Sequence, residues 1–287
     1  MTTPLIAVLP EELIRGIGRL EPMPVTAQRL VALINGEDVS LAKVADLIEF
    51  DQAIVAAVLR AASTVRYAGH TAPTVREAVL RLGSVALLDV VLDGYLKKLR
   101  VATPLYDLSE QDLWLHGAAT QLAVRALAVE RPRAGIPAIA ETAALLHDIG
   151  KLIVSRYLKA DVGQLVAHAR THAMTFVEAE RECLGVDHAA VGAAMAEAWL
   201  LPAEIVEAIR HHHSPPTERT SVVLDAVVLG NAVAKTIGIG LGAEGLNFEV
   251  DLGSYRRLGV DFAAFGRVCL QTDAWVRVAA LAHGVVL

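Results

Sequence analysis

Aliphatic residues return every third or fourth position along most of this chain, and strand-like alternation is almost absent. In VTAQRLVALI (25–34), Val25, Leu30, Leu33 and Ile34 share one stripe, which Asn35-Gly36 stops. SLAKVADLIEFD (40–51) opens on a capping Ser40 and spaces Leu41, Val44, Leu47 and Ile48 for a core face. QAIVAAVLRAASTV (52–65) continues as a more buried helix. TVREAVLRLG (74–83) starts on a Thr74-x-x-Glu77 capping pattern and ends on Gly83, and SVALLDVVLDGYLKKL (84–99) follows directly. Beyond Thr103-Pro104 the pattern predicts helices over 109–128, 141–158, 187–201, 202–213, 221–238 and 262–284. Residues 161–185 read as two helices with a soft joint, whereas 131–140 and the glycine-rich stretch after 238 read as loops. An all-α fold is expected, with a helical lobe over 1–104 and a second over 105–287.

Composition narrows the picture. Apolar residues make up 54% of the 287 positions and aromatics only 5%, a balance that suits close-packed helices. The net charge of −6 and the lack of a long basic stretch speak against nucleic acid as a partner. No run approaches the roughly 18 apolar residues of a spanning helix, and the N-terminus lacks the cationic start of a signal peptide. Cys183 and Cys269 are far apart in sequence and demand no disulfide. A cytoplasmic protein without membrane contact is the expectation.

Nine of the ten histidines fall after residue 104. His116 sits mid-helix beside Trp114 and Leu115, and His147-Asp148 follow Ala143-Ala144-Leu145-Leu146. His188 opens a small-residue helix, and His211, His212 and His213 close the next one. Imidazoles and a carboxylate converging in a helical core suit one or two divalent transition ions: iron, manganese, zinc or nickel. Lys151, one turn beyond His147, could then face a phosphate oxygen. The plainer reading is a set of hydrogen-bonded core histidines, with the last three favouring a helix dipole. Adjacent positions lie about 100° apart on a helix, so His211, His212 and His213 are not all expected to face inward.

The order His116, His147-Asp148, His188, His212-His213 resembles the HD-domain superfamily of metal-dependent phosphohydrolases, its HD-GYP branch in particular. LEPMPVTAQRLVALI, VADLIEFDQAIVAAVLRAAS, TVREAVLRLGSVALLDVVL, LLHDIGKLIV and LGVDHAAVGAAMAEAWLLPAEIVEAIRHHHSP are more similar to the HDOD domain, a related bacterial signalling module, over residues 20 to 215. That resemblance implies an all-α fold in which an N-terminal helical lobe accompanies an HD-like bundle. It implies a regulator acting through partner signalling proteins more than an enzyme. The metal set it implies is His116, His147, Asp148, His188, His212 and His213. The alternative it leaves open is a metal-dependent phosphodiesterase acting on a nucleotide or cyclic nucleotide, with Asp148 and Lys151 as the catalytic pair. Two departures bear on this alternative. Asn231 stands where the superfamily has its last aspartate, with Asp225 as a possible substitute, and HHH runs straight into SPPTERT without the Asp-Gly-x-Gly-Tyr-Pro loop of the HD-GYP enzymes.

Other features read as structural. His168 and His172 lie four apart in a polar context and suggest a solvated face. IGIGLGAEG (237–245) follows a helix, so its glycines suggest a C-cap and loop more than a nucleotide-binding turn. Asp112 could support a metal ligand, although a first-turn carboxylate is the simpler account. Trp114 and Trp199 are expected as core anchors.

Overall fold

Gly83 takes a left-handed φ of 72° with ψ 174°, and there the long apolar run of residues 75–99 bends. This is the stop that the sequence places between 74–83 and 84–99. The computed structural model describes residues 12–15, 17, 23, 25–34, 41–48, 52–63, 74–99, 103–158, 161–213, 221–243 and 251–282. The expected stop at Asn35-Gly36, the Ser40 cap and the SPPTERT segment lie outside these residues.

The chain divides into two units. One comprises Gly18–Leu99 with Ala198–Pro202. It contains α1 (Val25–Ile34), α2 (Leu41–Ile48), α3 (Gln52–Ala62) and α4 (Val75–Leu99). The bent α4 packs against the other three. Leu30, Val44 and Ile48 of the expected stripes are fully buried and Leu33, Leu41 and Leu47 half-buried, and Val58, Val79, Leu87 and Leu92 complete this core. The Thr74 hydroxyl caps this last helix by accepting from Glu77 N at 3.1 Å.

The other unit comprises Met1–Ile17, Arg100–Glu197 and Ala203–Leu287. In order it contains α5 (Glu110–Glu130), α6 (Ile139–Leu146), α7 (Gly150–Tyr157), α8 (Val162–His172), α9 (Phe176–Leu184) and α10 (His188–Ala198). After these come α11 (Ala203–His211), α12 (Val222–Thr236), α13 (Leu252–Leu258) and α14 (Phe262–Ala282). Helix α12 is central and packs against α5, α6, α11, α13 and α14. Leu115, Ala119, Ala234, Val276 and Ala280 form a dry cluster among α5, α12 and α14, against which Trp114 and Leu122 pack. Among the described residues there is no strand beyond a single bridge between Thr103 and Leu108. None of their helices is long and apolar enough to cross a membrane.

Two expectations need correction. Residues 141–158 do not form one continuous helix: α6 ends at Leu146 and α7 begins at Gly150. Between them, Ile149 N bonds to Leu146 O and Lys151 N to Asp148 O, a tightening to i→i+3 bonds that re-aims His147 and Asp148. The stretch after 238 is not all loop, because α13 forms behind an Asp251 side chain that accepts from Gly253 N and Ser254 N.

Candidate metal centre

Close backbone packing brings the His-Asp turn to its neighbours. A Cβ on Gly150 would lie 1.8 Å from His188 O and 2.7 Å from Gly192 N, so α7 and α10 touch through bare backbone. That contact holds Asp148, two residues before the crossing, against His188 at the start of α10. From the other side α5 brings His116, and the turn closing α11 brings His212 and His213.

These side chains surround one carboxylate. His116 Nε2 lies 3.5 Å and His147 Nε2 3.3 Å from Asp148 Oδ2, and Lys151 Nζ donates to the same oxygen at 2.7 Å. On the other oxygen, His188 Nε2 and His212 Nε2 each lie 3.4 Å from Asp148 Oδ1. His213 Nε2 is 3.0 Å from His188 Nε2. Asp148 is 4% exposed and Lys151 3%, while His147 and His188 are wholly enclosed. His211 belongs to neither donor cluster among the described residues.

Four of the rings are held from behind, which decides what their front atoms present. His116 Nδ1 donates to Ile239 O at 3.0 Å, His147 Nδ1 to Ala144 O at 2.7 Å, and His212 Nδ1 to Ile209 O at 2.7 Å. His188 Nδ1 donates to Glu180 Oε2 at 2.7 Å. A neutral imidazole with its proton on Nδ1 has only a lone pair at Nε2. With all four rings neutral, four lone pairs point at one carboxylate. His147 Nε2, His212 Nε2 and Asp148 Oδ1 are buried with no hydrogen-bond partner among the described groups. Each such atom costs about 1–3 kcal/mol when left unpaired. A cation between them would satisfy all three at once.

The distances agree with this. Donors about 2.0–2.1 Å from a zinc-sized ion lie roughly 3.0–3.4 Å from one another along the edges of its coordination shell. The donor atoms fall into two groups that share Asp148: His116 with His147, and His188 with His212 and His213. The residues present thus fit a divalent transition metal.

Electrostatics separates the rings. Burial pushes His116 down to about 3 and His212 down to about 4, so both are neutral near neutrality. Burial and the neighbouring His212 and His188 also push His213 well down. For His188, burial disfavours charge, but Glu180 and Asp148 outweigh it and raise the value. Asp148 falls well below the usual carboxylate range despite burial, held there by His147 and Lys151.

Sequence reasoning missed two groups. Glu180 on α9 is fully buried and bridges the Tyr106 hydroxyl, which donates to Oε1, and His188, whose backbone N also reaches Oε2. It lies eight residues before His188 in a Glu-Arg-Glu run that reads as solvated; only its position one turn beyond Phe176 and Val177, on the same face of a short helix, hinted otherwise. The glycine loop after α12 has a role too. Gly240 at φ 61° lies so close that a Cβ would meet Asp112 O at 2.5 Å and His116 Cβ at 2.7 Å, which lets Ile239 O anchor His116.

Asn231 reaches the centre, its side-chain amide 3.1 Å from His116 Nε2; with the His116 proton on Nδ1, the amide NH2 is the end that donates to this nitrogen. Asp225 does not, and it cannot serve as the substitute considered above. It points at α13, where it receives two Arg257 hydrogen bonds at 2.7 and 2.8 Å and one from the Ser254 hydroxyl. Asp112 accepts from Ser109 N at 2.7 Å as half of a capping box. His168 is on the surface beside Glu182, at 2.9 Å.

The HDOD domain profile matches residues 20–215. The chain belongs to the HDOD family. This HDOD protein is 25% identical over 207 residues to an uncharacterized protein of Treponema pallidum (strain Nichols), covering 69% of this chain and 39% of that one. The chain thus spans about two fifths of the length of the curated relative it matches. Among solved structures, an HDOD domain protein of unknown function from Geobacter sulfurreducens aligns with a TM-score of 0.68 at 24% identity, over 96% of this chain and 98% of that one. A candidate signal transduction protein from Marinobacter aquaeolei VT8 aligns at 0.66 and 24%, over 89% and 58%. A candidate phosphohydrolase from Shewanella amazonensis SB2B aligns at 0.61 and 22%, over 91% and 97%. At these identities the likeness shows the fold.

Proposed function

We propose that this HDOD protein is a bacterial signalling module, working in the cytoplasm through protein partners, and that its His-Asp centre holds a divalent metal without turning over a substrate. The observation that carries this reading is the enclosure of the centre. Every donor on Asp148 is buried or nearly so, and the Lys151 ammonium, which could have faced a phosphate, is bonded to the carboxylate instead. A substrate phosphoester needs direct access to the metal, whereas an ion that sets the packing of α5, α7, α10 and the α11 turn does not.

The second reading is a metal-dependent phosphodiesterase acting on a nucleotide or cyclic nucleotide. Its support is the sharing of Asp148 by two donor groups, an arrangement able to hold two ions. The metal would supply Lewis-acid polarisation of the phosphoester. Asp148 and the histidines would hold it, and Lys151 would have to leave Asp148 to orient phosphate.

Protein purified without chelator and analysed for iron, manganese, zinc and nickel separates these readings. The signalling reading expects bound metal, no turnover of cyclic dinucleotides, nucleotides or generic phosphodiesters above background, and a partner captured only by the metal-loaded form. Turnover that disappears in Asp148→Asn would favour the hydrolase reading. Metal-free protein that cannot be loaded would remove both.

A further inference from the structure

The two oxygens of Asp148 have unlike surroundings. Oδ2 faces His116 and His147, but it already accepts from the Lys151 ammonium at 2.7 Å. Behind His116 stands one neutral group, the Ile239 carbonyl 3.0 Å from Nδ1, and beside its front nitrogen Nε2 stands another, the Asn231 amide at 3.1 Å. An aspartate at position 231 would add a negative charge there; asparagine adds none. Oδ1 faces His188 and His212 with no hydrogen-bond partner, and His213 closes that side 3.0 Å from His188 Nε2. Behind His188 stands Glu180, a carboxylate 2.7 Å from Nδ1. One side therefore has a resident cation and neutral backing, and the other has an acidic group behind it and lone pairs in front.

We infer that this chain takes one divalent cation, seated on the Oδ1 side among Asp148, His188, His212 and His213, and that the Lys151 ammonium is the cation of the Oδ2 side. The inference deepens the metal reading above and rests on it. A metal on the Oδ2 side would compete with an ammonium for the same oxygen and repel it at close range inside a buried pocket. A metal on the Oδ1 side removes two of the three unpartnered buried atoms and leaves the Lys151 ion pair intact. His147 Nε2 keeps its place beside Oδ2 in that arrangement, facing the ammonium's oxygen and not the metal.

The test is stoichiometry. Chelator-stripped protein is equilibrated with Zn²⁺ or Co²⁺, dialysed, and analysed for metal per chain, with the cobalt absorption spectrum as a second readout and far-UV circular dichroism to confirm folding. The wild-type chain is expected to hold one ion. His213→Ala is expected to weaken binding at least tenfold, His116→Ala to leave it within threefold, and the double variant Lys151→Met, Asn231→Asp to gain a second ion. Two ions on the wild-type chain overturn the inference while leaving the metal reading standing. So does binding that His116→Ala abolishes and His213→Ala spares. No ion on the folded wild-type chain overturns both.

Discussion

Glu180 is fully buried, and the groups that meet it are the Tyr106 hydroxyl and the His188 ring with its backbone N–H. A carboxylate behind a ligating imidazole fixes the tautomer and makes the front nitrogen a better donor. Glu180→Gln keeps the shape and removes the charge, so metal affinity is expected to fall by about 10–100-fold. Competition against a chelator of known affinity measures this, and Tyr106→Phe, which spares the carboxylate, should cost less. The same enclosure makes the metal-free protein sensitive to acid. His116 and His212 have folded values near 3 and 4, below the ordinary 6.5 of the unfolded chain. Below pH 6.5 the unfolded state therefore binds more protons, and stability falls with decreasing pH until the folded values are reached. The depressed Asp148 adds a loss in the same direction at still lower pH, whereas the raised His188 contributes stability that is lost as pH rises through its folded value. Between pH 6.5 and 4 the depressed histidines dominate, His213 acting in the same direction as His116 and His212, each approaching about 1.4 kcal/mol per pH unit. Urea midpoints of the stripped protein at pH 7, 5.5 and 4.5 should fall in that order.

The crossing of α7 and α10 leaves no room at Gly150. A methyl group there would overlap the His188 carbonyl, which is backbone and cannot swing away. Gly150→Ala must push the helices apart and move Asp148 from His188, so a loss of roughly 3 kcal/mol or more is expected, at the upper end of overpacking costs. Thermal melting checks the stability and metal content checks the displacement. Helices such as α2 and the halves of α4 could be read from the chain because their evidence is local: apolar spacing, a capping Thr74, a stop at Gly83. The break at His147-Asp148 could not, since all three residues from 147 to 149 stay near helical dihedrals or turn geometry and the apolar spacing continues through them. Helix α13 was hidden by its length of seven residues in a glycine-rich stretch. The histidines stood out because imidazole is rare on an apolar face. Glu180 did not, because a glutamate between Ala179 and Arg181 looks solvated until Tyr106 and His188 arrive from 74 residues before it and eight after.

The centre and the core are separable in energy. Small metal domains lack enough apolar interior to fold alone, so chelation unfolds them. Here the aliphatic interior extends beyond the histidines, through the α5, α12 and α14 cluster and along α6, and a chain of 287 residues buries enough apolar surface to stand without an ion. Metal should then act as a linked ligand and not as a condition of folding. At a free concentration of about 100 times Kd it adds about 2.7 kcal/mol. For a chain of this size that corresponds to a rise of about 5 °C in the melting temperature. EDTA should remove the rise and leave the far-UV helical signal at 20 °C unchanged, and His213→Ala, with its at least tenfold weaker binding, should show about half the rise or less at the same metal concentration. A stripped protein that loses its helical signal would mean that the ion organises the second unit as a whole. The metal dependence of partner capture would then reflect folded against unfolded chains, with no second folded state for a partner to read.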